Sequence, residues 1–325
     1  MKPVIGCLGA GRMGRGIAVV FAFAGHQVVV VDFKERDAPA FDALAGEARA
    51  EIRSTLEILS RIGLLSPEHV STIAQRVTIV SRQEAETALP RCDFIFEGMP
   101  EILALKQAAL AEASRLAGER PIIASTTSTI LVDDLAEAIE HPGRFLNAHW
   151  LNPAYLVPLI ELSPGRLTAP EVTARMKALL ESIGKVPVVC AARPGFIVPR
   201  IQALAMNEAA RMVEEGVASA EDIDKAVIYG FGFRFAVLGL LEFIDWGGGD
   251  ILYHASRYLV EALGDSRYAA PDIIATNMRE GRIGMKTGQG FMNYEGVDQA
   301  AYREQRLAAF ALALRTMGLA REPVV

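Results

Sequence analysis

The chain has 325 residues, 51% of them hydrophobic, with 33 Lys and Arg against 39 Asp and Glu for a formal net charge of −6. That length supports about two domains with material for a sizeable core, and the apolar share excludes a disordered polymer. The mild acidity excludes a protein built to grip nucleic acid, which needs a basic stripe to displace counterions.

Taken in chain order, the first half alternates short β-rich runs with helical patterns, the signature of stacked βαβ units. Val4 to Leu8 reads as a strand, followed by a glycine turn and a helix through about Ala24. Val28 to Asp32 is the second strand. Phe41, Leu44, Ala48, Ile52, Leu56 and Leu59 then recur every three or four residues, as on one helix face. Ser66-Pro67-Glu68 starts a short helix, with serine as cap and proline in the first turn. Further strands are expected at Val77 to Val80, Phe94 to Glu97, Ile122 to Ser125, Phe145 to His149, Leu159 to Leu162 and Val186 to Cys190. Helices fall at about Leu103 to Ala117 and Glu171 to Ile183. From about Ile197 to Leu319 the pattern is helical throughout, apart from the loop Gly284 to Gly290. The expected fold is α/β: a Rossmann-type, mostly parallel sheet domain over residues 1–192, then an all-helical domain over residues 193–325.

Cys7, Cys92 and Cys190 are widely spaced beside apolar runs, so they read as small buried hydrophobes rather than disulfide partners or metal ligands. No metal site is expected, and a reducing cytosol fits best. Arg12 and Arg15 interrupt the apolar N-terminus before a signal-peptide core forms. The run Ile17 to Ala24 falls well short of the roughly 20 residues that span a bilayer. A soluble cytoplasmic protein is expected.

Gly9-Ala10-Gly11-Arg12-Met13-Gly14 is G-x-G-x-x-G between a strand and a helix. The first glycine permits the tight turn, the second lets a pyrophosphate approach the backbone, and the third allows close helix–strand packing. The helix start, at Arg12 and Met13, supplies free N–H groups to that anion. Asp32 ends the next strand, placed to bind the adenosine ribose diol. Its carboxylate would repel a 2′-phosphate, so NAD is favoured over NADP, although Lys34 and Arg36 follow closely.

Among the five histidines, His149 stands apart because it ends a strand of the sheet, where such folds place their ligand clefts. Asn152-Pro153 follows in the same loop. Glu97 and Glu101 lie at one neighbouring strand end, and Ser125 to Thr129 at another. A histidine, a carboxylate and a hydroxyl there suit proton abstraction beside a nicotinamide. On residue chemistry, Glu97 and Glu101 are equally eligible partners for the histidine.

These stretches, with Pro194-Gly195-Phe196-Ile197-Val198 and Lys286-Thr287-Gly288-Gln289-Gly290-Phe291, make the chain resemble the L-3-hydroxyacyl-CoA dehydrogenases, including 3-hydroxybutyryl-CoA dehydrogenases, along nearly its whole length. The resemblance implies that His149 takes the proton of the substrate's 3-hydroxyl as hydride leaves C3 for NAD. It implies Glu101 as the acid that orients the imidazole, which also places that residue beside the cofactor. Ser128 and Asn152 match groups around the reacting oxygen. The helical domain, in this family, closes over the cleft and forms a homodimer. Two departures stand out. The family's usual Ser-Asn-Thr-Ser reads Ser125-Thr126-Thr127-Ser128, and its Gly-Phe-Ile-Val-Asn-Arg reads Gly195-Phe196-Ile197-Val198-Pro199-Arg200, so an asparagine near the substrate carbonyl becomes a proline.

The hairpin that helps bind coenzyme A in acyl-CoA members carries Arg49, Arg53, Arg61 and Arg76, balanced by Glu47, Glu51, Glu57 and Glu68. Relatives acting on free hydroxy acids, such as L-carnitine or L-gulonate dehydrogenases, share His-x-x-Asn-Pro-x-Tyr and text like Val157 to Glu161. The expected substrate is thus a short L-3-hydroxyacyl-CoA, with a free 3-hydroxy acid as the alternative. A non-catalytic, crystallin-type dinucleotide binder is a third reading.

Overall fold

The computed structural model describes residues 2–324, in two compact units that divide between Ala205 and Met206. The first unit is built on eight strands: β1 (Ile5–Leu8), β2 (Val28–Val31), β3 (Val77–Val80), β4 (Phe94–Glu97), β5 (Ile122–Ser125), β6 (Phe145–Trp150), β7 (Leu159–Pro164) and β8 (Val186–Val189). They lie in the order β3-β2-β1-β4-β5-β6-β7-β8. All neighbouring pairs are parallel except β6 and β7, which run antiparallel. The central strands β1, β4 and β5 are buried along their length, as parallel strands covered on both faces must be. That explains their mostly apolar runs, with Glu97 and Ser125 as the polar residues that close β4 and β5.

Helices α1 (Arg12–Phe23), α2 (Ala38–Arg61), α3 (Leu103–Ala117), α4 (Pro170–Ser182) and α5 (Val198–Glu214) complete the elements that bear on the site. Asp37 caps α2 by accepting the Ala40 N–H at 2.9 Å, with a proline in the first turn. The buried face of α2 is Ala45, Ala48, Ile52, Leu56 and Leu59. One side of the sheet is an aromatic cluster. Phe21 of α1 lies 5.3 Å from Phe96 and 6.1 Å from Trp150, ring centre to ring centre. Because strand residues alternate between faces, burying Trp150 there turns its neighbour His149 to the opposite face.

The order of strands reverses between β1 and β4, the switch point at which such sheets bind nucleotides. The glycine turn sits there. Gly9 has φ +97°, open to glycine at little cost. A Cβ on Gly14 would stand 2.0 Å from the Gly9 carbonyl oxygen, so α1 can approach β1 this closely only without a side chain.

The second unit is helical, and the first part of it is α5, which the unit division cuts. The helices Ala220–Ala226, Leu240–Gly247, Gly249–Leu263, Asp272–Arg279 and Gln299–Thr316 follow. Its one extended feature is the loop at Gly284 to Asn293, held by isolated bridges. Asp245, 2% exposed, anchors that loop by accepting the Phe291 and Met292 N–H groups at 2.9 and 2.8 Å. Gly284 and Gly290 press against Asp245 so closely that a Cβ on either would overlap it. The glycines of the Lys286 to Phe291 motif therefore serve packing around a buried carboxylate. Among the described residues, no single helix is long and apolar enough to cross a membrane.

The contact at Gly14 generates a direct expectation. Gly14→Ala should cost about 2 kcal/mol or more through overpacking against Gly9, read as a lowered urea midpoint. An unchanged midpoint would show that the turn can move aside.

Candidate active site

The cofactor side is built from the ends of β1, β2 and β4. A cleft of about 340 Å³ is bounded by Gly9, Gly11, Asp32, Lys34, Arg36 and Gly98 to Pro100, among others. Gly11 is the N-cap of α1 and provides no side-chain cap, so the first N–H groups of the helix remain available to an anion. A Cβ on Gly11 would meet nothing within 4 Å, which leaves open space where a pyrophosphate would lie. Asp32 is 4% exposed at the end of β2, and Arg36 donates to its Oδ2 at 2.5 Å. That pairing commits the Arg36 guanidinium to the ribose carboxylate. Glycine turn, helix start and ribose carboxylate together fit NAD.

The reacting side lies where β6 hands over to β7. Their antiparallel register sets His149 directly opposite Glu161. Glu161 Oε2 accepts from His149 Nδ1 at 2.8 Å, with the imidazole 4% and the carboxylate 0% exposed. An ionised carboxylate only accepts, so Nδ1 carries the hydrogen and Nε2 keeps its lone pair. The other oxygen, Oε1, accepts the Ile197 and Val198 N–H groups at 2.8 and 2.9 Å, at the start of α5. A helix N-terminus favours negative charge, so the start of α5 is a fitting neighbour for the Glu161 carboxylate. Phe196 stacks on the imidazole with centroids 5.2 Å apart and planes at 20°. Pro199, in place of asparagine, enters the first turn of α5 without loss there. The Ile197 and Val198 donors go to Glu161, and Arg200 N–H goes to the Gly195 carbonyl.

Glu101 is not the partner of His149. Its Oε1 accepts from the Thr127 and Thr129 hydroxyls and from the Ser128 and Thr129 amides, while Oε2 faces Lys106 at 3.3 Å. Partial burial pushes the Glu101 carboxyl up, but the Thr127 hydroxyl, the Lys106 charge and the Thr129 hydroxyl outweigh it and hold it below the usual carboxylate range. The physical role visible here is to pin the loop after β5, and with it Ser128. Glu97, the other eligible acid, is fully buried and committed to Lys106 at 3.0 Å, to Ser125 Oγ and to the Met99 amide. Lys106, itself 1% exposed, thus stands between both acids.

Asn152 and Ser128 are exposed at the ends of their loops. Asn152 borders a second cavity of about 330 Å³ between α1, α2 and residues 152–155, lined also by Arg12, Glu51, Thr55 and Tyr155. Lys185 is 8% exposed and ties this loop down, donating to the Ala154 and Val157 carbonyls at 2.6 and 2.7 Å. Burial pushes its ammonium down from the usual lysine range. Glu161, Phe196, Lys106 and Lys185 were not selected from sequence. Only Glu161 carried a signal, as a carboxylate inside an otherwise apolar strand.

Comparison with known proteins adds to this geometry. The family profile described as "3-hydroxyacyl-CoA dehydrogenase, NAD binding domain" matches residues 4–193, and the one described as "3-hydroxyacyl-CoA dehydrogenase, C-terminal domain" matches residues 195–294. The chain is 31% identical to 5-formyl-3-hydroxy-2-methylpyridine 4-carboxylate 5-dehydrogenase of Mesorhizobium japonicum, over 93% of this chain and 94% of that one. It is 30% identical to 3-hydroxybutyryl-CoA dehydrogenase of Clostridioides difficile, over 88% and 98%. Among solved structures, it is similar to a 3-hydroxyacyl-CoA dehydrogenase of Archaeoglobus fulgidus, with TM-score 0.76 and 31% identity over 98% of this chain and 100% of that one.

The two acids separate in their expected effects. Glu161→Gln should lower kcat by about 10²-fold or more, because the imidazole loses its charged partner. Glu101→Gln should show instead in stability. A carboxyl held low in the fold contributes stability above its unfolded pKa that is lost as pH falls through the folded value. Wild type should therefore lose more melting temperature than Glu101→Gln between pH 6 and acid. Parallel acid profiles would contradict the pinning role.

Proposed function

The chain belongs to the 3-hydroxyacyl-CoA dehydrogenase family, whose members are NAD-dependent dehydrogenases of CH–OH groups, and from that premise we propose that it oxidises the 3-hydroxyl of a short L-3-hydroxyacyl-CoA with His149 as general base. The observation that carries this reading is the His149–Glu161 hydrogen bond at 2.8 Å, which leaves Nε2 free to accept a proton. NAD, when bound, takes the hydride from C3. As that hydride departs, His149 removes the hydroxyl proton and becomes imidazolium. Glu161 stabilises the new charge without itself taking the proton. Asn152 and Ser128, at the neighbouring loop ends, are the polar groups assigned to the substrate's reacting oxygen. The start of α1, with Arg12 and Met13, and Asp32 hold the two ends of the adenosine diphosphate.

A second substrate reading, a small free 3-hydroxy acid, is favoured by particular features. Arg15 donates to Glu47 and also pairs with Glu51, so this guanidinium is already shared by two carboxylates that leave the cluster net negative. Glu51 also lines the cavity beside Asn152, a poor surface for a coenzyme A phosphate. Pro199 stands where the family resemblance places an asparagine near the substrate carbonyl, so the polar set around the substrate is reduced by one. The Mesorhizobium relative, by its name, acts on a pyridine carboxylate.

Both readings are tested by one panel. With NAD and L-3-hydroxybutyryl-CoA, absorbance at the NADH band should rise, and His149→Gln should cut kcat by about 10²- to 10⁴-fold. Turnover confined to free acids would select the second substrate class. Turnover by His149→Gln at the wild-type rate would end the proposed mechanism. Assembly follows the same family habit. Leu204, Met206, Leu307 and Leu312 are each more than half exposed on α5 and Gln299–Thr316, and a second copy of the chain would cover such faces. Light scattering at micromolar concentration should give the mass of a dimer.

A further inference from the structure

We propose that Phe196 is a positioning residue for the His149 imidazole, and that its left-handed backbone lets one short segment hold both members of the dyad. The proposal rests on the reading of His149 as the base. Phe196 has φ +44° and is the sole non-glycine residue with positive φ among the described residues. A bulky side chain adopts that conformation at a cost, and it persists only where the surroundings enforce it. Gly195 precedes it at φ +75°, so the chain reverses over two residues after Pro194.

The reversal has two results that depend on the same torsions. The Phe196 ring lies nearly parallel to the imidazole, 5.2 Å away. The next two amides, of Ile197 and Val198, reach Glu161 Oε1. Returning residue 196 to an ordinary right-handed or extended backbone would swing the ring or the amides off the dyad. A ring present only to fill the core needs no such backbone. Phe21, Phe96 and Phe145 are each 1% exposed or less with ordinary φ values.

What the ring does follows from the freedom left to His149. Nδ1 is tied to Glu161 by a single hydrogen bond, which restrains rotation of the imidazole about its bond to Cβ without locking it. A flat face packed against the imidazole plane resists that rotation and excludes water from that side. Its π cloud also favours the imidazolium that forms when the proton arrives. The effect belongs to the chemical step, because the ring touches the base and contributes nothing to the glycine turn that receives NAD.

The test is a split between kcat and KM with rescue. Phe196→Leu keeps most of the apolar volume and removes the flat face. It should lower kcat about tenfold or more, since small misplacement of a reacting group is costly, while KM and the NAD Kd stay within about twofold. Phe196→Tyr, which restores a flat ring, should recover most of the loss. Should Phe196→Leu melt early, Phe196→Met supplies a second non-planar replacement of similar size. Wild-type kcat in a folded non-planar variant would overturn the proposal, as would equal impairment of the Leu and Tyr variants. Wild-type turnover by His149→Gln would instead strike the base assignment. Loss in His149→Gln alongside full turnover in Phe196→Leu would strike only the positioning role.

Discussion

A carboxylate that is wholly removed from water must have its oxygens met by donors, or it will not stay ionised. Glu161 is in that position, at 0% exposure, and three elements converge to satisfy it. β6 presents the imidazole N–H, α5 presents two amides, and β7 carries the carboxylate itself. None of these donors is a formal cation while His149 is neutral. On the proposed mechanism, the carboxylate faces the ring on which positive charge would develop, and little reorganisation would be needed as the proton moves.

The second buried acid, Glu97, is handled in a different way. Lys106 neutralises it directly, and Ser125 and the Met99 amide complete its shell. A closed pair of that kind serves as a fixed post under the loops after β4 and β5. Glu101 joins the same post through Lys106 and reaches across to the Ser128 loop. Glu97 and Glu161, both wholly buried, are thus held in unlike ways, according to whether a permanent cation stands beside the carboxylate.

The substrate side shows the same economy of donors. Pro199 is compatible with its helix because the first-turn amides are directed at Glu161 and a proline there forfeits nothing already in use. What changes is the lining available to a substrate, not the dyad. Arg15, nearly buried and shared with Glu47 and Glu51, holds α1 to α2 and withdraws those charges from any passing phosphate. Family membership and reaction class stay with the dyad and the glycine turn.

Much of this was legible in the sequence because it is local. Apolar runs ended by turn residues place every strand within a residue or two, since a strand buried on both faces is mostly apolar. The glycine turn and Asp32 announce NAD because their spacing alone defines the backbone shape. His149 is visible as a polar residue closing an apolar strand. Its partner is not, and family resemblance pointed to Glu101 instead. Glu161 lies twelve residues on, and faces His149 only once β6 and β7 are paired antiparallel in one register. A one-residue slip would turn it to the other face. Phe196 and the α5 amides depend in turn on two successive positive φ values, which the text Gly195-Phe196 does not encode for phenylalanine. By itself, then, the sequence determined the sheet, the cofactor and the reaction class, which follow from short-range pattern. Only the tertiary structure decided which acid pairs with His149, because that depends on register and on the meeting of three elements distant along the chain.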